Sequence, residues 1–264
     1  MPKNLADIRA YWVDAASQTL DVDGLRPTAR DPYLQDVVET AMERWIWPSA
    51  NLLDIGCGEG TSSLRFAKRA GTVLGLDYIP EFAERASQAA TVSGATNTTF
   101  AAGDILKLGD TLQGRIFDIV VTIRCLINLP TWELQKEGIS QVAKAVKPGG
   151  LYLLSEGWQE GWDELNRMRC RAGLEPITLV AYNRLLSRQA LEAFIRPEFE
   201  IVTYHSVGWY LVMSRVFQPA FVAPERPRQT HPINKIAAQL YGAGIADTAF
   251  ENCDYSGVYV LRKR

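Results

Sequence analysis

From residue 51 onward, short apolar runs alternate with stretches of helical period. The runs at 51–55, 72–76, 98–102, 116–122 and 151–155 predict strands, and the stretches at 60–69, 80–91 and 131–146 predict helices between them. Ahead of the first run, Asp31 is suited to cap a helix and Pro32 to open it. Tyr33, Leu34, Val37, Val38, Ala41, Met42 and Trp45 then recur with helical spacing until Pro48 stops them. Alternation of this kind predicts an α/β fold, a parallel sheet with helices on both faces.

Beyond Glu156 the pattern loosens. Helices are predicted at 160–172 and 187–196 and strands at 199–205 and 256–262, the last two bracketing a long insert, 206–254. The proline-rich patch at 219–232 reads as a loop. With no internal repeat, the chain is expected to be one domain, 1–264, with an N-terminal cap over 1–47 and pocket-building insertions at 156–196 and 206–254.

The densest chemical signal is the stretch NLLDIGCGEG at 51–60. An apolar strand ends in an acid, Asp54, and opens into Gly56, Gly58 and Gly60 with Cys57 between the first two. Glycine suits a turn whose backbone angles other residues avoid, and it lets a ligand approach the main chain. The first amides of the following helix then face that ligand, as in nucleotide-binding units. The spacing is GxGxG; the dinucleotide fingerprint GxGxxG requires a glycine where Thr61 stands, so an NAD-dependent oxidoreductase is the weaker reading. The next run closes on a second acid, Asp77, where such folds place the acceptor for ribose hydroxyls. Asp54, Asp77, Asp104, Arg124 and Glu156 all fall at predicted strand ends, on the rim where open α/β sheets bind ligands.

With these residues in place, the chain resembles the class I methyltransferases that use S-adenosylmethionine. AAGDI at 101–105, FDIVVT at 117–122 and KPGGLYLLSE at 147–156 match, in order, the family's adenine-side turn and its fourth and fifth strands. The resemblance implies a Rossmann-like, doubly wound sheet, mostly parallel with an antiparallel C-terminal strand, and S-adenosylmethionine as cofactor without a metal. It assigns Asp54 and the turn of Gly56, Cys57 and Gly58 to the amino-acid end of the cofactor and Asp77 to the ribose. Asp104 falls to the adenine amine, and Tyr78 and Ile105 to the walls beside adenine. Arg124 and Cys125 line the methionine side. Arg124 departs from the small or neutral residues common there: it clamps the cofactor carboxylate, clamps a substrate anion, or pairs with a surface acid. Tyr11, Trp12 and the segment 24–33 precede the core and are expected to fold over the cofactor, with Arg30 and Tyr33 reaching it; simple packing of these side chains is the alternative.

Composition narrows the picture. The chain has 264 residues and is 47% hydrophobic, without an apolar run of 18 residues or a signal-peptide pattern, so a cytoplasmic protein without membrane association is expected. Cys57, Cys125, Cys170 and Cys253 are scattered and form no CxxC pair, which argues for reduced thiols. A formal charge of −2 without a basic block argues against a nucleic-acid partner. A homodimer is compatible with the sequence and not specified by it.

Methyl transfer from a sulfonium is an in-line displacement, and a base matters chiefly when the nucleophile is a hydroxyl. The candidate bases are His205 at the end of the sixth strand, His231 in the proline-rich loop, and Glu156 at the rim. The fourth strand ends in Thr-Ile-Arg-Cys, without the acids of magnesium-dependent relatives, and CLINLP at 125–130 lacks the Asn/Asp-Pro-Pro-aromatic pattern of DNA amine methylation. Arg215, Arg226, Arg228 and Lys235 face only Glu225 between 206 and 235, among aromatic residues, which suggests a small anionic acceptor. The reading is an O-methyltransferase acting on a sugar, carboxylate or other anionic metabolite, with N- or C-methylation, or cofactor binding without catalysis, as alternatives.

Overall fold

The computed structural model describes residues 4–17, 25–245 and 249–264. In chain order its elements are α1 (Leu5–Ser17), α2 (Pro32–Glu43), β1 (Asn51–Ile55), α3 (Thr61–Phe66), β2 (Thr72–Asp77), α4 (Pro80–Ser93), β3 (Thr98–Ala102), α5 (Leu108–Leu112), β4 (Phe117–Ile123), α6 (Trp132–Ala145) and β5 (Val146–Ser155). There follow α7 (Gln159–Arg171), α8 (Arg188–Ile195), β6 (Phe199–His205), α9 (Gly208–Val212), α10 (Gln218–Val222), α11 (Pro232–Gly242) and β7 (Val258–Lys263).

Seven strands form one sheet in the order β3-β2-β1-β4-β5-β7-β6. The first five pair in parallel, and β7 runs antiparallel to both β5 and β6. Strand order reverses between β1 and β4, which opens a crevice at their carboxyl ends. Side chains alternate between the two faces, as the two-residue period of a strand requires. Leu53, Val120, Tyr152 and Leu154 pack with α5, α6 and α8. Leu52, Val121, Leu151 and Leu153 pack with α2, α9 and α11. Both clusters are fully enclosed, so the strand ends that carry the site stand on a rigid platform.

The sheet and most of its helices follow the apolar pattern. Asp31 caps α2 by accepting from the Leu34 amide at 3.0 Å, and Pro32 opens it. Helices α5, α9 and α11 answer to no expected element, and four further elements depart from expectation. Helix α3 ends at Phe66, because Lys68 and Arg69 donate three residues back and tighten the chain into turns. Strand β5 begins at Val146, earlier than 151, and takes in the lysine-proline-glycine-glycine stretch through a register shift opposite Phe117 and Ile119. The proline-rich patch is helical at its start: Pro219 lies in α10, which continues the helical run from Gly208. Helix α1 has no counterpart in the pattern, since only Ile8, Ala15 and Ala16 are buried and its apolar stripe is correspondingly thin.

Candidate functional site

The turn between β1 and α3 has left-handed angles at all three glycines, with φ of 75° at Gly56, 53° at Gly58 and 77° at Gly60. A Cβ on Gly56 would lie 2.9 Å from Cys125 Sγ, and one on Gly60 2.8 Å from the Ala86 Cβ. The amides of Gly56 and Cys57 donate to Leu76 O at 2.8 and 3.1 Å, which ties the turn to the end of β2. Asp77 completes the tie: its carboxylate accepts from Gly58 N and Ile79 N, both at 2.9 Å. Burial pushes its pKa up to about 6 despite these two bonds. Burial likewise pushes Asp54 up to about 7, although Ser63 Oγ donates to it at 2.5 Å.

These groups border a cavity of about 440 Å³. Gly56, Gly58, Asp77, Tyr78, Gly103 and Ile105 form one part of its wall, at the carboxyl ends of β1, β2 and β3. The Tyr78 hydroxyl is buried without a hydrogen-bond partner, and burial raises its pKa. The rest of the wall is largely apolar, with Trp12, Ile127, Ile177, Leu179, Tyr182 and Leu185 prominent. A polar niche of about 40 Å³ adjoins the turn and is lined by Gln35, Asp54, Cys57, Ser62 and Arg124. An acid and a guanidinium facing one niche suit the ammonium and carboxylate of an amino acid. The glycine cradle and the unpartnered Tyr78 hydroxyl suit a nucleoside. The residues present therefore fit S-adenosylmethionine.

The predicted site residues divide into three groups. Gly56, Gly58, Asp77, Tyr78, Ile105, Arg30 and Arg124 line the main cavity, and Asp54 and Cys57 line the niche. Among the described residues Arg124 is paired with no surface acid, and it faces both the cavity and the niche. Its own φ is 53°, and Nη2 donates to Thr28 O at 3.1 Å and Gln35 Oε1 at 2.6 Å, so neutral oxygens hold it while burial lowers its pKa. Asp104 is at the rim, where it accepts from Leu106 N at 2.9 Å. Tyr33, in the first turn of α2, packs on the core and is off the cavity wall.

None of the three candidate bases lines the cavity. Both carboxylate oxygens of Glu156 are committed: Cys125 N and Leu126 N donate to Oε1 at 3.1 and 3.0 Å, and Ile127 N to Oε2 at 3.1 Å. Glu156 thus holds the 125–128 turn from beneath, and burial pushes its pKa up to about 7. His205 accepts from Trp45 Nε1 at 2.8 Å on the α2 side of the sheet. His231 caps α11, its Nδ1 accepting from Ile233 N at 3.2 Å. Chemistry nominated these residues; contacts remote in sequence hold Glu156 and His205, and a local helix cap holds His231.

Other cavity residues escaped the sequence reading. Asp31, taken only as a helix cap, also accepts from Tyr210 at 2.7 Å and from Arg215 at 2.5 Å. Arg215 is therefore neutralised, whereas Arg226, Arg228 and Lys235 are exposed and off the cavity wall. Tyr11 of α1 stacks on Tyr182 at 4.2 Å, and Trp12 Nε1 donates to Asn128 Oδ1 at 3.2 Å, so α1 does fold over the cavity. Gly24, at the start of the other segment expected to do so, lies outside the described residues. Among the described residues of the wall there is no imidazole, and the acids are Asp31 and Asp77, both already bonded.

A family model described as a methyltransferase domain matches residues 47–186. The 2-heptyl-1-hydroxyquinolin-4(1H)-one methyltransferase of Mycobacteroides abscessus is 32% identical over 104 residues, which cover 39% of this chain and 44% of that protein. The 23S rRNA (uracil(1939)-C(5))-methyltransferase of Tolumonas auensis is 26% identical over 133 residues, 46% of this chain and 29% of that one. The chain thus spans less than half the length of the first curated relatives it matches. Among solved structures, magnesium protoporphyrin IX methyltransferase of Synechocystis with bound S-adenosylhomocysteine superposes with a TM-score of 0.62 at 18% identity, covering 98% of this chain and 99% of that one. The matched segment holds the glycine turn, Asp54, Asp77, Arg124 and Glu156, and on that match this chain belongs to the methyltransferase-domain family, class I, dependent on S-adenosylmethionine.

Proposed function

We propose that this protein transfers a methyl group from S-adenosylmethionine to a small, largely apolar acceptor whose nucleophilic atom needs no base from the protein. The observation that carries this reading is the cavity of about 440 Å³ that joins the glycine turn to an apolar wall. Its acids are already bonded, and no histidine of the described residues reaches it.

In this reading Asp77 accepts from the ribose hydroxyls, Tyr78, Asp104 and Ile105 surround the adenine, and Asp54, Arg124 and the turn of Gly56, Cys57 and Gly58 hold the amino-acid end. Arg30 closes over the cofactor from the segment before α2. The cofactor supplies an electrophilic methyl on its sulfonium. The chain's task is to align the nucleophile and exclude water, and alignment is worth about 7–11 kcal/mol of a barrier of this type. A positioned base typically adds about 10²–10⁴-fold, and an acceptor that ionises near neutrality forgoes that need. Acidic phenols and N-hydroxy heteroaromatics meet both demands, and so does a neutral amine. A sugar meets neither, since its hydroxyls need both a base and polar partners. The anionic-acceptor idea weakens with Arg215 paired to Asp31 and the other basic residues outside the wall. The relative named for a heptyl hydroxyquinolinone takes an acceptor of the favoured kind.

Incubation of the protein with methyl-labelled S-adenosylmethionine and matched panels tests the proposal. Phenols, N-hydroxy heteroaromatics and amines form one panel; sugar phosphates and ribosomal RNA form the others. Label is expected in the first panel, with a rate that rises with pH along the acceptor's own ionisation. Label confined to sugar phosphates or RNA refutes the acceptor class. Tight cofactor binding with no labelled product in any panel favours a binding protein.

A further inference from the structure

The segment 213–231 has two faces of different character. Arg215 and Gln229 form part of the cavity wall. The opposite side presents Phe217 and Phe221, which are 40% and 70% exposed and stack on each other at 6.1 Å with their planes 24° apart. Two exposed phenylalanines in contact are unusual on a water-facing surface, since each forfeits most of the gain from burying an aromatic ring. Exposed basic side chains follow directly: Arg226 and Arg228, then Lys235 beside Ile236, itself 54% exposed, on α11. The acid in this stretch is Glu225. Arg215, the remaining cation of the segment, is turned inward and neutralised by Asp31. The loop is anchored from within, because Gln218 Nε2 donates to Arg228 O at 2.6 Å and Asn234 Nδ2 to Gln229 O at 3.0 Å. The aromatic pair and the basic residues therefore stand on a fixed base.

From this surface we infer that the α10–α11 segment docks the protein on an anionic lipid bilayer. Aromatic rings that enter the headgroup boundary beside arginine and lysine are the composition that interfacial anchors use. Charge complementarity selects this occupant: three basic side chains against one acid, in a chain whose formal charge is −2 overall, concentrate positive potential beside the aromatic pair. Among the described residues no helix is long and apolar enough to cross a membrane, so the association is at the surface. The sequence expectation of no membrane association rested on the lack of a spanning run, which does not bear on a patch of this kind. Docking here places the outer face of a cavity-wall segment against the bilayer. The inference does not depend on which acceptor is methylated, because it is read without activity.

Cosedimentation of the full chain with phosphatidylcholine vesicles, and with vesicles containing phosphatidylglycerol, tests it. Binding is expected only to the anionic vesicles and is expected to weaken in ~0.5 M salt. Phe221→Ser and the double variant Arg226→Glu/Arg228→Glu are each expected to lower partitioning by about tenfold or more, with unchanged melting midpoints because these side chains are exposed. Three results would overturn it: no pelleting with either vesicle, pelleting that both variants retain, or vesicle-free self-association that Phe221→Ser abolishes. The last would mark the patch as a contact between protein copies.

Discussion

Glu156→Gln separates a structural carboxylate from a catalytic one. In the folded protein Glu156 is fully buried and takes three backbone amides of the 125–127 turn. A glutamine carbonyl can accept from Cys125 and Leu126, but its NH2 then faces the Ile127 N–H. Leaving that buried donor unpaired costs about 1–3 kcal/mol. A second, pH-dependent contribution works in the opposite direction. Burial raises the pKa of Glu156 from 4.5 to about 7. Below pH 4.5 both folded and unfolded forms are protonated, so nothing is lost. As the pH rises from 4.5 to about 7, the unfolded chain releases a proton that the folded chain retains, and stability falls by ~1.4 kcal/mol per pH unit, ~3 kcal/mol in all. Glutamine does not titrate. Relative to the parent, the variant is therefore expected to be less stable by about 1–3 kcal/mol near pH 4.5 and to gain ~3 kcal/mol on that difference by about pH 8. Asp54 and Asp77 also carry raised values, but they are present in both proteins and cancel in the difference. Urea unfolding across this range measures the difference directly. A difference flat with pH would refute the buried-carboxylate argument. A turnover loss of about 10³-fold with unchanged stability and cofactor affinity would make Glu156 the base after all.

Gly56→Ala is expected to cost about 1–2 kcal/mol for the left-handed backbone alone, plus the overlap with Cys125 2.9 Å away. Adding Cys125→Gly should recover the overlap but not the backbone share, and full recovery in thermal melts would contradict the φ argument. Asp77→Asn, which removes the charge from the group facing the expected ribose, is expected to weaken S-adenosylhomocysteine binding by about 10–100-fold in calorimetry; an unchanged affinity removes Asp77 from the site. Asp31→Asn keeps the helix cap but leaves the Arg215 guanidinium without its counter-charge, and a loss of about 3 kcal/mol is expected in urea unfolding, with less than about 1 kcal/mol counting against the pair. Arg226→Ala and Arg228→Ala are expected to leave the Michaelis constant of a soluble acceptor unchanged, since both side chains are off the cavity wall; a large rise would restore the anionic-acceptor reading.

How much of this site the sequence could disclose depended on how far apart the interacting residues lie. The glycine turn was legible because its requirements are local: an apolar strand, an acid, three positions needing φ above zero, and a second acid at the end of the next strand. The cap at Asp31 was legible for the same reason, since the amide it binds is three residues away. Its second role was not, because Arg215 lies 184 positions further on and no periodicity links the two. The same separation hid the stack of Tyr11 on Tyr182 and the bond from Trp45 to His205. Helix α1 was illegible for a different reason: it buries few side chains, and it packs through Tyr11 and Trp12 with the small residues Ala15 and Ala16 rather than through a broad apolar stripe. The candidate bases lie off the cavity wall, because proton-transfer chemistry says what a residue can do without saying where it points. Imidazoles and carboxylates also satisfy buried amides, and a protein whose turn at 125–128 must hold its shape beside a cofactor needs such a partner beneath it. Glu156 supplies it, so the strand-end position that marked this residue for catalysis instead fixes the turn that borders the cavity.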